Sequence, residues 1–187
     1  VSTRGLTVSE AVKKMRGKPG TKITLTLSRK NVDKPIVVNL TRAIIKVKSV
    51  RHHLLEPNYG YIRVSQFQER TVAGINEAAK ALIKANKGAP LKGIILDLRD
   101  DPGGLLDGAV GVSAAFLPAD AKVVSTKGRD GKEGMVLKAR PEDYIRTSGR
   151  DPLADLPAEL KTIPMTVLIN SGSASASEIV AGALQDH

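Results

Sequence analysis

The chain has 187 residues, of which 41% are hydrophobic and 26% charged, a globular balance that excludes wholesale disorder and fibrous folds. Aromatics make up only 3%, so a core must rest on aliphatic packing, and the lack of Cys excludes disulfides and thiolate metal sites. The formal charge of +10 is uneven: residues 1–50 hold 12 Lys/Arg against Glu10 and Asp33, and the remainder is neutral with 17 bases and 17 acids.

In chain order, Thr7 and Glu10 form a Thr-x-x-Glu capping box ahead of Val8, Ala11, Val12 and Met15, which repeat at helical spacing. Gly17 stops that helix and Pro19-Gly20 turns the chain. Ile23, Leu25 and Leu27 alternate with Thr24, Thr26 and Ser28, the pattern of a half-buried strand. Residues 31–35 turn, and residues 36–40 read as its antiparallel partner. A mixed stretch carries His52 and His53. Residues 60–64 read as a strand and residues 71–86 as a long helix. Residues 91–98 (LKGIILDL) are nearly continuously apolar, which suits a strand covered on both faces. Gly103-Gly104 breaks it, and residues 105–116 read as a helix. Residues 125–160, polar and rich in Gly, Pro and charge, are expected to be a long insertion or lid-like loop. Residues 164–170 (PMTVLIN) read as a second buried strand, followed by a turn and a helix over residues 173–185. The strand–helix alternation after residue 45 predicts an α/β core. The helix and two strands before it are too few to hold a core alone.

No apolar run reaches the ~18 residues of a transmembrane helix. The opening residues lack the pattern of a secretory leader, and the sequence reads as an internal piece of a longer protein. The basic first segment is either a solvated surface or a patch for an acidic partner or anionic lipid heads. Nucleic-acid binding is disfavoured, because residues 1–50 contain no aromatic side chain on which bases could stack.

Two junctions could carry chemistry. Residues 170–178 (NSGSASASE) join a buried strand to a helix start, where backbone N–H groups lack internal partners and the helix dipole favours negative charge. A serine held there can attack a carbonyl while a neighbouring N–H receives the oxyanion. The same residues also satisfy a simpler reading, in which Ser175 and Glu178 form a capping box. Residues 97–105 (DLRDDPGGL) place two glycines after a buried strand, so that backbone can approach a ligand or simply turn. Asp97, Asp100 and Asp101 match neither a calcium loop nor, with the glycines, a phosphate loop. Nothing around His52 or His53 gives either histidine an orienting partner, and His-His-Leu-Leu-Glu is not a His-Glu-x-x-His zinc motif.

Together and in order, GYIRVSQF (60–67), ILDLRDDPGGLLDGAV (95–110) and NSGSASASEIVAGALQD (170–186) resemble the hallmark blocks of the carboxyl-terminal processing peptidases, the tail-specific proteases. Residues 5–29 resemble the second half of the PDZ domain that these proteases carry. The resemblance implies a crotonase-like α/β serine-protease core over residues 46–187 and the C-terminal half of a PDZ-like domain over residues 1–45. It implies that Ser175 is the nucleophile, that the N–H groups of Gly104 and Ala176 form the oxyanion hole, and that Asp186 has a supporting role. Asp100 and Asp101 stand where the family often has asparagines. The family's general base is a lysine downstream of the serine, but only 12 residues follow Ser175 and none is Lys. The base is therefore expected beyond residue 187, and these residues alone are expected to be inactive.

The implied function is cleavage of polypeptides near exposed C-terminal tails, without metal or organic cofactor. An adaptor protein and an oligomer are compatible partners, and nucleic acid and a membrane span are not expected. Family habit implies a bacterial periplasm or cell envelope, or a plastid lumen. The alternative is a non-catalytic peptide-binding module with the same fold.

Overall fold

The computed structural model describes residues 2–3, 5–44, 48–146 and 149–187, which divide into two compact units, residues 1–47 and 48–187. The boundary expected between residues 45 and 46 lies outside the described residues.

In the first unit, Thr7 and Glu10 cap each other at the start of α1 (Val8–Met15), with the Thr7 N–H and the Glu10 carboxylate 2.8 Å apart. Strands β1 (Lys22–Leu27) and β2 (Ile36–Thr41) form an antiparallel hairpin in the register Lys22↔Thr41 to Leu27↔Ile36. Arg42 ties the helix end to the hairpin by donating to the carbonyls of Met15 and Lys22. Little is buried here: no α1 residue is buried, and Val8 and Val37 are 82% and 61% exposed.

The second unit is built on a four-stranded sheet in the order β3-β4-β5-β8. Strand β3 (Val50–Glu56) pairs antiparallel with β4 (Tyr59–Val64), and β4, β5 (Gly93–Asp97) and β8 (Met165–Leu168) run parallel. Helices α2 (Thr71–Ala85), α3 (Leu106–Phe116) and α5 (Ala176–Asp186) supply the remaining core, where Ile62, Ile75, Leu96, Val112 and Val180 are fully buried. Strand β5 is buried along most of its length, as its apolar run dictates. The α/β class expected from the alternation is the class observed.

Three expectations change. The His52–His53 stretch is the middle of β3, an edge strand that is exposed at five of its seven residues and so shows no clear alternation. Strand β8 is half-buried rather than buried, lying at one edge of the described sheet. Residues 125–160 are not one long loop. They hold the end of β6 (Lys122–Lys127), its antiparallel partner β7 (Glu133–Lys138), the short helix α4 (Pro141–Tyr144) and the start of a 3₁₀ turn at Ala158–Lys161. Nor is this segment loose. The Tyr144 hydroxyl donates to Asp151, and Asn76 on α2 donates to the Pro152 carbonyl and to Asp155. Lys80 and Asn76 hold the Asp155 carboxyl down at about 2. Short strands whose apolar residues fall next to one another give little period-2 signal, and those polar anchors are invisible as periodicity.

Candidate active site

Parallel strands β5 and β8 lie side by side, so the turns that follow them meet at one end of the sheet. The β5 turn ends in Pro102-Gly103-Gly104 and the β8 turn ends in Ser175.

The first turn is braced from below. Asp97, the last residue of β5, is fully buried and accepts hydrogen bonds from the Tyr61 hydroxyl, from Arg63, and from the backbone and guanidinium of Arg99. The Arg99 guanidinium holds its carboxyl far below the usual carboxylate range against the opposing effect of burial. Beyond it, Asp100 takes a positive φ of 58°. Asp101 is also fully buried: one carboxylate oxygen accepts the Gly103 N–H at 2.8 Å and the other has no partner among the described residues. Burial pushes this carboxyl up.

The two glycines are required by what surrounds them. A Cβ on Gly104, where φ is 147°, would stand 2.1 Å from the Phe67 carbonyl oxygen. A Cβ on Gly103, where φ is 94°, would stand 2.7 Å from the Ala174 carbonyl and 2.9 Å from both the Ala176 nitrogen and Ser175 Cβ. The chain after β4 pins this turn, because the Phe67 N–H donates to Gly103 and the Phe67 carbonyl accepts the Leu105 N–H. The Gly104 N–H lies between these two bonds and donates to no protein acceptor among the described residues.

Ser175 caps α5 with φ 54° and ψ −112°, a conformation that costs a non-glycine residue on the order of 1–3 kcal/mol. The Glu178 carboxylate accepts the Ser175 N–H at 2.7 Å, and its charge suits the first turn of the helix. Capping is thus one role of this pair, as the bland reading requires. It does not explain the positive φ, since an ordinary N-cap is extended. Ser175 is exposed, and the N–H of Ala176, the first helical residue, has no acceptor among the described residues. The backbone N–H groups of Gly104 and Ala176 thus lack acceptors among the described residues, and Gly103, next to Gly104, packs against Ser175 and Ala176.

Ser173 and Ser177, two residues to either side, face inward. Ser173 donates to the Leu98 carbonyl at 2.7 Å, and Ser177, fully buried, donates to the Asp101 carbonyl at 3.0 Å. The structure thus brings Ser175, Gly104 and Ala176 to one place. It leaves Asp186 exposed at the far end of α5. His52 and His53 lie on β3, separated from β8 by the two strands β4 and β5, and His53 packs against the Tyr61 ring at 4.6 Å. Among the described residues no lysine or histidine bonds to Ser175. Lys161 instead caps α3 by donating to the carbonyls of Ala114 and Leu117.

The three aspartates do not converge on a metal. Asp97 faces two arginines, Asp100 faces Asn170 and Asp101 faces the Gly103 N–H. No cluster of three metal-ligating side chains occurs among the described residues. Sequence reasoning missed Tyr61, Arg63, Phe67 and Asn170. The only available signal was the Asp that ends an apolar strand run, since a buried carboxylate demands a cation.

Residues 58–187 match the family described as peptidase family S41. The chain is 47% identical over 183 residues to a carboxy-terminal-processing protease of Bartonella bacilliformis, covering 98% of this chain and 38% of that protein. It is 36% identical over 185 residues to the carboxy-terminal processing protease CtpA of Bacillus subtilis, covering 99% of this chain and 35% of that one. The solved photosystem II D1 C-terminal processing protease aligns with all of this chain and 46% of its own, with a TM-score of 0.55 and 24% identity, and shares its fold. The chain spans little more than a third of the length of the two curated relatives.

Proposed function

The chain belongs to peptidase family S41, and on that premise we propose that it carries the nucleophile and the oxyanion hole of a serine endopeptidase that cleaves polypeptides near their C-terminal tails. The observation that carries this reading is the strained, exposed Ser175 beside the N–H groups of Gly104 and Ala176. Ser175 Oγ attacks the scissile carbonyl, and the developing oxyanion accepts from those two backbone N–H groups, whose place in the fold is fixed before charge appears. The hydroxyl proton passes to a general base, and the amine leaves from the tetrahedral intermediate to give an acyl-enzyme that water hydrolyses. The family resemblance implies that the base is a lysine; among the described residues no lysine is bonded to Ser175.

The first unit, one helix and one hairpin, is read as part of a PDZ-like module that holds the substrate tail, with the protease core in the second. We place the protein in a bacterial cell envelope, a reading supported by its bacterial relatives. No described helix is long and apolar enough to cross a membrane.

The test is Ser175→Ala in the full-length protease that contains these residues, assayed on an unfolded protein with an apolar C-terminus. Cleavage should fall below detection with the thermal midpoint preserved, while Ser173→Ala and Ser177→Ala retain measurable turnover. Activity in Ser175→Ala would remove the nucleophile from this position.

A further inference from the structure

The positive φ of Ser175 and the placement of Gly104 are useful only if the two turns hold a fixed spacing, and nothing in either turn alone sets it. Residues 170–177 hang on residues 98–101 by five hydrogen bonds. Three of them end on backbone carbonyls: Ser173 on Leu98, and the Ala174 N–H and Ser177 hydroxyl both on Asp101. The remaining two belong to one side chain. Asn170 Oδ1 accepts the Asp100 N–H at 2.9 Å, and Asn170 Nδ2 donates to Asp100 Oδ1 at 2.9 Å. The same Oδ1 accepts the Gly172 N–H at 3.1 Å, and the Asn170 N–H donates to Ser173 Oγ at 3.0 Å. One amide thus fixes the bend of its own turn and reads both the backbone and the side chain of the opposite one. Asp100 is itself in the left-handed region and lies four residues before Gly104, so any rotation at Asp100 is carried into the oxyanion turn.

Asn170 and Asp100 are both exposed. An exposed pair is replaceable by water as far as folding is concerned, so the demands of stability do not account for a two-point contact across this gap. Turnover does, because the reacting atoms tolerate little displacement. We propose that Asn170, paired with Asp100, is a positioning residue that sets the separation between Ser175 Oγ and the Gly104 N–H. This rests on the reading of Ser175 as nucleophile and Gly104 as oxyanion donor.

The test is a reciprocal exchange in the full-length protease. In Asn170→Asp, a carboxylate oxygen still accepts the N–H groups of Asp100 and Gly172, but the donor to Asp100 Oδ1 is gone and two carboxylates face each other. Asp100→Asn keeps an acceptor for Asn170 Nδ2, so its effect is the smaller of the two. Combining the changes returns a donor and an acceptor to the contact with their sides reversed. For Asn170→Asp, kcat should fall about 10- to 100-fold, the scale of a catalytic group displaced by a fraction of an ångström to an ångström. KM should stay within about twofold and the thermal midpoint should not change. The double variant should recover most of the lost kcat. Wild-type kcat in Asn170→Asp, a loss that tracks the thermal midpoint, or a double variant as slow as Asn170→Asp would each overturn the assignment. Ser175→Ala, assayed alongside, separates the two readings: if it cleaves, the nucleophile is misassigned, and if it is dead while Asn170→Asp is normal, only the positioning role fails.

Discussion

The two strand-to-helix turns at the end of the sheet solve the same problem in opposite ways. Each leaves a backbone N–H without an acceptor among the described residues, that of Gly104 in one and that of the buried Ala176 in the other. The β5 turn does so with Gly103 and Gly104, whose positive φ values carry no steric penalty. The β8 turn does so with a serine at φ 54°, which carries one. Glycine would relieve that strain and remove the hydroxyl. Under the proposed function, the strained turn keeps the hydroxyl that reacts and the glycine turn makes room for the backbone that packs against it.

The comparison breaks first at Gly104. Gly104→Ala brings a methyl against the Phe67 carbonyl and forces the turn to shift, moving the N–H away from the oxyanion. We expect kcat in the full-length protease to fall about 10²–10³-fold, the effect of losing one such donor, with KM little changed. A normal kcat in a folded Gly104→Ala would remove this N–H from the site. The substitution need not be large, because φ and the near contact both exclude any side chain.

The next effect distinguishes the two buried acids of the β5 turn. Asp97 is held far below its ordinary value by Arg99, so its contribution to stability is present above the unfolded carboxylate range and is lost as the pH falls through its folded value. Asp101 is pushed up by burial, so it contributes below the unfolded range, and that contribution disappears as the pH rises through its folded value. Asp97→Asn should therefore be destabilised most near neutrality, with the gap closing in acid. Asp101→Asn, which can still accept the Gly103 N–H, should gain on the wild type as the pH is raised from 4 to 7. Denaturant midpoints measured from about pH 2 to pH 7 check both signs, the Asp97 gap closing below about pH 4 and the Asp101 gain appearing above it; parallel pH profiles for the two variants would contradict the contrast.

The smallest effect is at Ser177. Its hydroxyl is buried on the Asp101 carbonyl, which keeps the Ala174 N–H as a second donor. Ser177→Ala should cost about 1 kcal/mol of stability and lower the thermal midpoint by about 2–4 °C. Turnover should change far less than in Gly104→Ala. A dead Ser177→Ala with an unchanged midpoint would shift the nucleophile within the cluster.

Much of this was legible in the residues. The capping box at Thr7, the buried run of β5 and the periodicity of α2 follow from patterns strong enough to dominate local structure. Both turns could be located by their glycines and serines. The register within the serine cluster came from the family resemblance, since spacing alone fits a cap as well as a nucleophile. What could not be read is what depends on chain segments far apart in sequence. Asn170 meets Asp100 across 70 residues, and Tyr61 meets Asp97 across 36. The hairpin of β6 and β7 hid for a different reason, because its apolar residues, Val123-Val124 and Met135-Val136-Leu137, come in consecutive runs with no period-2 alternation.

The most direct measurement is a crystal structure of the full-length protease with a peptide aldehyde, which adds to a serine nucleophile as a hemiacetal and places an oxygen where the oxyanion forms. The account predicts a covalent bond from Ser175 Oγ to the aldehyde carbon, with that oxygen within hydrogen-bond distance of the N–H groups of both Gly104 and Ala176. A bond to another side chain, or an oxygen held away from both N–H groups, would contradict it.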